Sequence, residues 1–131
     1  GERTPIPWTA SGRLLVAHMS DEEILDFIPA QDFILPNKSR LAPEKFLRDV
    51  AQARAAQFYS FDSVADNFTH CFAAPIHQGG PICVATLCLI APREDAARNY
   101  ERYRETLIAS ARELSDKLGT APVRISKAGV A

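Results

Sequence analysis

The chain has 131 residues, of which 47% are apolar, so it can bury one hydrophobic core and a single domain is expected. Its 15 basic and 16 acidic residues are mixed along the chain, and a net charge of -1 provides no basic surface for nucleic acid or an anionic membrane. No apolar run approaches the roughly 20 residues of a membrane span, and the first residues lack the apolar centre of a signal peptide, so we expect a cytoplasmic protein.

The first part of the chain is predicted to form three helices. Residues 9–19 can form a short helix. Ser20 and Glu23 have the spacing of a capping box, which predicts that a second helix begins there. Pro43 is suited to the first position of a third helix, in which apolar residues recur on one face to about residue 57.

A strand and then a β-hairpin are predicted to follow. Residues 58–66 alternate in the manner of a strand, and the sequence QGGP at residues 78–81 separates two β-rich runs. A loop of two residues and a loop of four residues give the same register, and its opposed pairs share one face of the sheet. These pairs are His77 with Ile82, Pro75 with Val84, Ala73 with Thr86, Cys71 with Cys88, and Thr69 with Ile90. The same alternation places Cys83 on the opposite face.

From Pro92 onwards the apolar residues are spaced by three and four, which predicts one long amphipathic helix ending at Gly119 as its C-terminal cap. Its apolar positions are Ala96, Tyr100, Tyr103, Leu107, Ala111, Leu114 and Leu118. Residues 120–131 show no strong pattern and are expected to form a C-terminal tail.

The cysteines allow several interpretations. An odd number of cysteines in a reducing compartment favours free thiols, although a Cys71–Cys88 disulfide is geometrically feasible. A metal site that adds His70, His77 and Cys83 lacks the usual spacing, and the alternation separates its members, so no metal or cofactor is expected. On the residue types alone, Cys71 and Cys88 are best interpreted as small buried apolar residues.

No catalytic constellation stands out. Ser11 lies in the sequence TASGR, which lacks the glycines of a nucleophile elbow or a phosphate-binding loop. Cys71 could act as a nucleophile only beside a base, and none is predicted within reach. The chain is therefore not expected to be an enzyme, and thiol-dependent catalysis at Cys71 is the least favoured alternative.

Four segments follow the order and spacing of a known family. The segment GERTPIPWTASGRLLVAH is similar to the pattern G-x-x-x-P-x-x-x-T-A-x-G-K-x-x-L-A, with Arg13 in place of the usual Lys. The segment ARAAQFYSFDSVADNFTHCFAAPI is similar to R-x-x-G-Y-x-x-D-x-E-x-x-x-G-V-R-C-x-A-A-P-V, VATLCLIAP to A-A-L-S-V-S-G-P, and LSDKLG to I-S-x-x-L-G. Over residues 1–119 the chain thus resembles the C-terminal effector-binding domain of the IclR family of bacterial transcriptional regulators.

The resemblance implies an α+β fold related to GAF and PAS domains, in which a curved antiparallel sheet is flanked by helices, the last of them long. It implies that residues 1–119 are a partial effector-binding domain that lacks its first elements and the N-terminal winged helix-turn-helix through which the family binds DNA. Ligand binding would control that module, and the protein would be a homodimer or tetramer. The alternative is a ligand-free dimerisation or assembly domain with the long helix as its interface.

The resemblance also implies an effector site on the concave side of the sheet. Its expected residues are Ala10, Ser11, Gly12, Phe61, Thr69, Cys71, Cys88 and Ile90. Members that bind small keto acids tend to have hydroxyls at the positions of Cys88 and Ile90 and an acid at that of Phe61. We therefore expect a compact apolar or aromatic organic acid, with its carboxylate at the main-chain N–H groups of residues 10–12.

Overall fold

The structure, a computed structural model, describes residues 4–120 of the chain. The helices are α1 (Ala10–Leu15), α2 (Asp21–Phe27), α3 (Pro43–Ala56), α4 (Arg93–Arg98) and α5 (Tyr100–Thr120), and the strands are β1 (Tyr59–Asp62), β2 (Thr69–His77) and β3 (Cys83–Pro92). The predicted α+β class, with an antiparallel sheet, flanking helices and a long C-terminal helix, is confirmed. The tail predicted after α5 lies outside the described residues.

The helix starts agree with the sequence patterns better than the helix ends do. At α2 the capping box is formed, because Glu23 N–H donates to Ser20 Oγ over 3.2 Å and Ser20 N–H donates to Glu23 Oε1 over 3.1 Å. Pro43 is the first residue of α3, as predicted. The helix predicted from residue 92 is divided at Asn99, and α5 continues through Gly119 to Thr120, so the predicted cap is wrong.

The strands form one antiparallel sheet in the order β1-β2-β3, but the hairpin register differs from the predicted one. Cys71 lies opposite Ile90, and Cys88 lies opposite Ala73. None of the five predicted pairs is formed in the observed register. These wrong pairs are His77–Ile82, Pro75–Val84, Ala73–Thr86, Cys71–Cys88 and Thr69–Ile90. Two irregularities, each of which shifts the register by one residue, cause the difference.

The first irregularity is the loop, which spans residues 78–82 because His77 pairs with Cys83. The second is a β-bulge at Val84, since the next pair is Ile76 with Ala85. The two shifts add to two residues, and side chains of a strand alternate between faces with a period of two. Beyond the bulge every side chain therefore keeps the face that was predicted. Cys83 lies between the loop and the bulge, and it is therefore on the same face as Cys71, not on the opposite face.

Helices cover both faces of the sheet. The face towards α4 and α5 buries a cluster made of Phe58, Phe72, Ala74, Ile76, Ala91, Ala96, Leu107 and Ala111. The other face packs against α1 and α3 through Ala10, Leu14, Ala53, Tyr59, Ala73 and Cys83, with Phe61 and Cys71 at its margin. A third cluster between α2 and α3 includes Val16, Ile24, Ile28, Phe33, Phe46 and Val50. None of the helices between residues 4 and 120 has the length and apolar character needed to cross a membrane.

Candidate functional site

The site predicted from sequence begins at the turn that enters α1, here called the TASG turn (residues 9–12). Thr9 caps the helix, because its Oγ1 accepts a hydrogen bond of 2.8 Å from the N–H of Gly12. Gly12 is required by close packing, since a Cβ at this position would lie 2.2 Å from the carbonyl oxygen of Ile6. The Gly12 N–H is thus already bonded within the protein, so of the three predicted anion contacts only those of Ala10 and Ser11 remain candidates.

The side chain of Ser11 joins α1 to β3. Its Oγ lies 2.9 Å from Cys88 Sγ and accepts a hydrogen bond of 2.9 Å from Thr86 Oγ1. Thr86 Oγ1 also lies 3.5 Å from Cys88 Sγ, which completes a triangle of small polar groups. Thr86 was not among the predicted site residues, although its position on the Cys88 face of β3 was a signal that could have found it.

Cys71 lies in the central strand of this face, between Phe61 on β1 and Ile90 on β3. Cys71 is half-buried, and burial raises the pKa of its thiol above the ordinary cysteine value, with a further contribution from the negative charge of Asp66. A thiol with a raised pKa is protonated at neutral pH. This environment is therefore the reverse of the one that activates a cysteine nucleophile.

Two of the predicted residues lie towards the edge of the face. Ile90 is 67% exposed on β3. Thr69 is the first residue of β2, and its hydroxyl donates to the carboxylate of Asp66 over 2.8 Å. The structure therefore brings Ser11 into contact with Cys88, and it aligns Phe61, Cys71 and Ile90 across the sheet, while the Thr69 hydroxyl is bonded to the preceding loop.

A buried arginine lies directly beneath the TASG turn. Arg13 is 2% exposed and forms an ion pair with Asp49 on α3, to which its Nε and Nη2 each donate over 3.2 Å. Its Nη1 donates to the carbonyl oxygens of Pro7, over 3.1 Å, and Thr9, over 2.7 Å. The other oxygen of Asp49 contacts Lys45, whose side chain is 52% exposed.

Three aromatic rings surround the Arg13 guanidinium. Its central carbon lies 5.0 Å from the ring centroid of Phe46, 4.9 Å from that of Tyr59 and 4.8 Å from that of Phe61. Burial raises the pKa of Tyr59, and the charge of Arg13 acts in the opposite direction. In the sequence Arg13 stands out only as a replacement for Lys, because its partners lie on α3 and β1 and no local spacing connects them.

The three cysteines are free thiols. Cys83 is buried, its thiol donates to the Ala85 carbonyl oxygen over 2.9 Å, and burial raises its pKa. Among residues 4–120 there is no group of three or more His, Cys, Asp or Glu residues arranged to hold a metal ion. On this face of the sheet, Cys83 is thus a buried packing residue.

An open groove of about 870 Å³ lies at the other end of α1. It is bordered by the α1–α2 turn, the C-terminal end of α3 and the hairpin loop, and His18, Arg54 and His77 contribute to its walls. None of the eight predicted site residues lines it. The groove and the predicted site are therefore separate features.

The described part of the chain is thus a small antiparallel sheet with helices on both faces, and a polar cluster lies on one face beside a helix start. The chain belongs to the family described as bacterial transcriptional regulator IclR C-terminal, whose model matches residues 1–116. A comparison with curated proteins gave no match.

Solved structures share the fold at low sequence identity. The Agobacterium tumefaciens repressor BlcR has a TM-score of 0.74 and 24% identity, over 91% of this chain and 49% of that one. An IclR homolog from Microbacterium sp. strain HM58-2 has a TM-score of 0.71 and 24% identity, over 94% of this chain and 50% of that one. The C-terminal domain of the E. coli transcriptional regulator KdgR has a TM-score of 0.74 and 20% identity, over 91% of this chain and 74% of that one. This chain thus spans about half the length of the first two.

Proposed function

We propose that this chain is an effector-sensing domain that binds a small molecule between the TASG turn and the sheet, and that binding controls contact with DNA made by another part of the regulator. The observation that carries the proposal is the contact of Ser11 with Cys88 and Thr86. Because these groups lie on a helix and on a strand, a ligand that inserts beside them contacts both elements. Ligand binding there favours one relative position of the helix and the sheet over others.

The chemistry of this face supports a compact apolar or aromatic organic acid. Phe61, Cys71 and Ile90 provide an apolar surface, and Ser11 and Thr86 provide hydroxyl groups at one end of it. The carboxylate of the acid would bind at the main-chain N–H groups of Ala10 and Ser11, where a helix begins. A few convergent polar groups on an apolar surface are typical of small-molecule sites.

Family membership supports a regulatory domain and not an enzyme, and the raised pKa of Cys71 argues in the same direction. The proposal places the regulator in the cytoplasm as a homodimer or tetramer. In such an assembly, a ligand-dependent shift in each subunit changes the spacing of the DNA-binding parts, and the size of the effect depends on the differential affinity of the ligand for the two arrangements.

A ligand panel tests the proposal directly. Benzoate, phenylacetate and short aliphatic monocarboxylates would be screened by thermal shift, and the compounds that stabilise the chain would be measured by calorimetry. Cys88→Leu adds volume inside the site and should weaken binding at least about tenfold. Ala85→Leu adds volume at an exposed position of the same strand, on the face towards α4 and α5, and should leave the affinity unchanged. Equal losses in the two variants would contradict the site.

A ligand-free assembly domain is the second candidate. The observation that favours it is the exposure of Leu114 (40%) and Leu118 (37%) on α5, which leaves apolar side chains of this helix open to a second subunit. An absence of binding across the whole panel, together with a dimer that Leu114→Lys dissociates, would favour assembly over sensing.

A further inference from the structure

We infer that Arg13 is the positioning residue of the site: by joining the TASG turn to α3 and β1, it fixes the place at which Ser11 meets Cys88 and Thr86. The inference rests on the proposed function only for the statement that this place is a ligand site. That Arg13 holds the TASG turn in place follows from the contacts of Arg13 alone.

The donors of the Arg13 side chain connect the TASG turn to α3. One nitrogen of the guanidinium binds the carbonyl oxygens of Pro7 and Thr9, which precede α1, while two others bind Asp49, 36 positions further along the chain. A planar guanidinium holds its donors in a fixed fork, so the directions of these bonds are coupled. A displacement of the turn would break the bonds to Pro7 and Thr9, or it would draw Arg13 away from Asp49.

The charge of Arg13 is enclosed by aromatic rings from β1 and α3. Tyr59 and Phe61 belong to β1 and Phe46 belongs to α3, and all three rings lie within about 5 Å of the guanidinium carbon. With Arg13 2% and Asp49 3% exposed, neither charge can exchange its partner for water without opening the core. Breaking a buried ion pair is costly, so the two residues hold their positions.

Arg13 is also connected to the residues of the proposed site. Ser11 lies two positions before Arg13 in α1, and Thr9, whose carbonyl oxygen Arg13 binds, also caps Gly12. The ring of Phe61 contacts Arg13 and lies on the strand that pairs with Cys71. Arg13 therefore sets both walls of the proposed site, the Ser11 wall on α1 and the Phe61 wall on β1.

Lysine cannot replace this arrangement in full. A Lys ammonium can pair with Asp49, but its donors all lie on one nitrogen, so it cannot bind Asp49 through two nitrogens while a third binds the carbonyl oxygens of Pro7 and Thr9. Nor can it stack between rings in the same way. We therefore expect Arg13→Lys to retain part of the positioning, and Arg13→Met to lose it.

A disulfide exchange measurement tests the position of the turn without any ligand. Ser11→Cys places a thiol near Cys88 in a chain whose Cys71 and Cys83 are replaced by Ala. One protein thiolate attacks oxidised glutathione, which forms a mixed disulfide and releases one glutathione thiolate. The second protein thiolate attacks the mixed disulfide, forms the intramolecular bond and releases the second glutathione. The equilibrium constant gives the effective concentration of the two thiols, and the 2.9 Å separation of Ser11 Oγ and Cys88 Sγ predicts a high value.

We expect Arg13→Met to lower this effective concentration at least about tenfold at equal folded fraction, and Arg13→Lys to give an intermediate value. Leu107→Ala destabilises the core on the other face of the sheet and should leave the value unchanged. If Arg13→Met does not fold, Asp49→Asn serves in its place and should lower the value several-fold. An unchanged value in Arg13→Met or its substitute, or an equal fall in Leu107→Ala, would overturn the inference.

The two proposals can fail separately. If no acid binds while the exchange constant depends on Arg13, the positioning role stands and the ligand site is wrong. If acids bind and Cys88→Leu weakens their binding, while the exchange constant does not depend on Arg13, the ligand site is supported and the positioning role is wrong.

Discussion

Ser11 Oγ on α1 lies 2.9 Å from Cys88 Sγ on β3, although 77 positions separate the two residues in the chain. The contact joins the start of a short helix to a strand that pairs with β2 on one side and has no strand partner on the other among residues 4–120. Both groups are small and polar, and Cys88 lies on the same face of the sheet as Phe61, Cys71 and Ile90. A helix start and a strand that meet in this way can both respond to a molecule bound between them.

Replacement of Arg13 by Met should lower the free energy of unfolding by about 3–5 kcal/mol, because Asp49 would keep its buried charge without its buried partner. The control is Lys45→Met, which removes the other partner of Asp49. Since Lys45 is 52% exposed, its loss should cost about 1 kcal/mol or less. Urea unfolding of both variants measures the difference, and similar values in the two would show that burial does not decide the strength of these pairs.

How far the sequence predicts this fold depends on whether a feature is local. The capping box at Ser20 and the helix start at Pro43 are set by neighbouring residues, and both were found. The hairpin register was missed because the loop and the bulge at Val84 each add one residue, and neither has a distinct sequence pattern. The two shifts changed every predicted pair but preserved the face of Cys88, so among the cysteines only Cys83 was assigned to the wrong face.

The candidate site shows the same limit. The family pattern carried Ser11 and Cys88 to one place, and the structure brings them into contact. Arg13 was not recognised as important, because its ion pair and its rings come from α3 and β1, and only tertiary packing places these around it. Residue types and spacing predict which face a side chain occupies more readily than which distant partner it will bind.

Replacement of Gly12 by Ala should destabilise the chain by about 1–3 kcal/mol, because the new Cβ would meet the Ile6 main chain and force the TASG turn away from it. Gly80→Ala is the matched control, since a Cβ there meets no atom within 4 Å. Chemical unfolding of the two variants provides the comparison. A Gly12→Ala variant as stable as Gly80→Ala would mean that the turn is not held against Ile6.

The raised pKa of Cys71 should be visible in its reactivity. At a pH near 8.5 a free thiol is about half ionised, whereas a smaller fraction of Cys71 should be ionised because burial raises its pKa. Its rate of alkylation by iodoacetamide, followed by peptide mass spectrometry, should therefore keep rising with pH after that of a model thiol has levelled off. Fast alkylation well below pH 8 would instead indicate an activated thiolate and would revive the enzyme alternative.

Self-association through β3 is expected, because this strand carries no charged residue and combines an unpaired edge among residues 4–120 with exposed apolar side chains. Val84 is 50% exposed and Ile90 is 67% exposed. A charge on an edge strand opposes pairing with a second strand, so Val84→Lys should shift the population towards the monomer. Leu25→Lys places the same charge at an exposed apolar position of α2 and should have no such effect. Light scattering over a wide concentration range measures both, and a parent chain that stays monomeric throughout, or a Leu25→Lys variant that dissociates as far as Val84→Lys, would contradict an interface at β3.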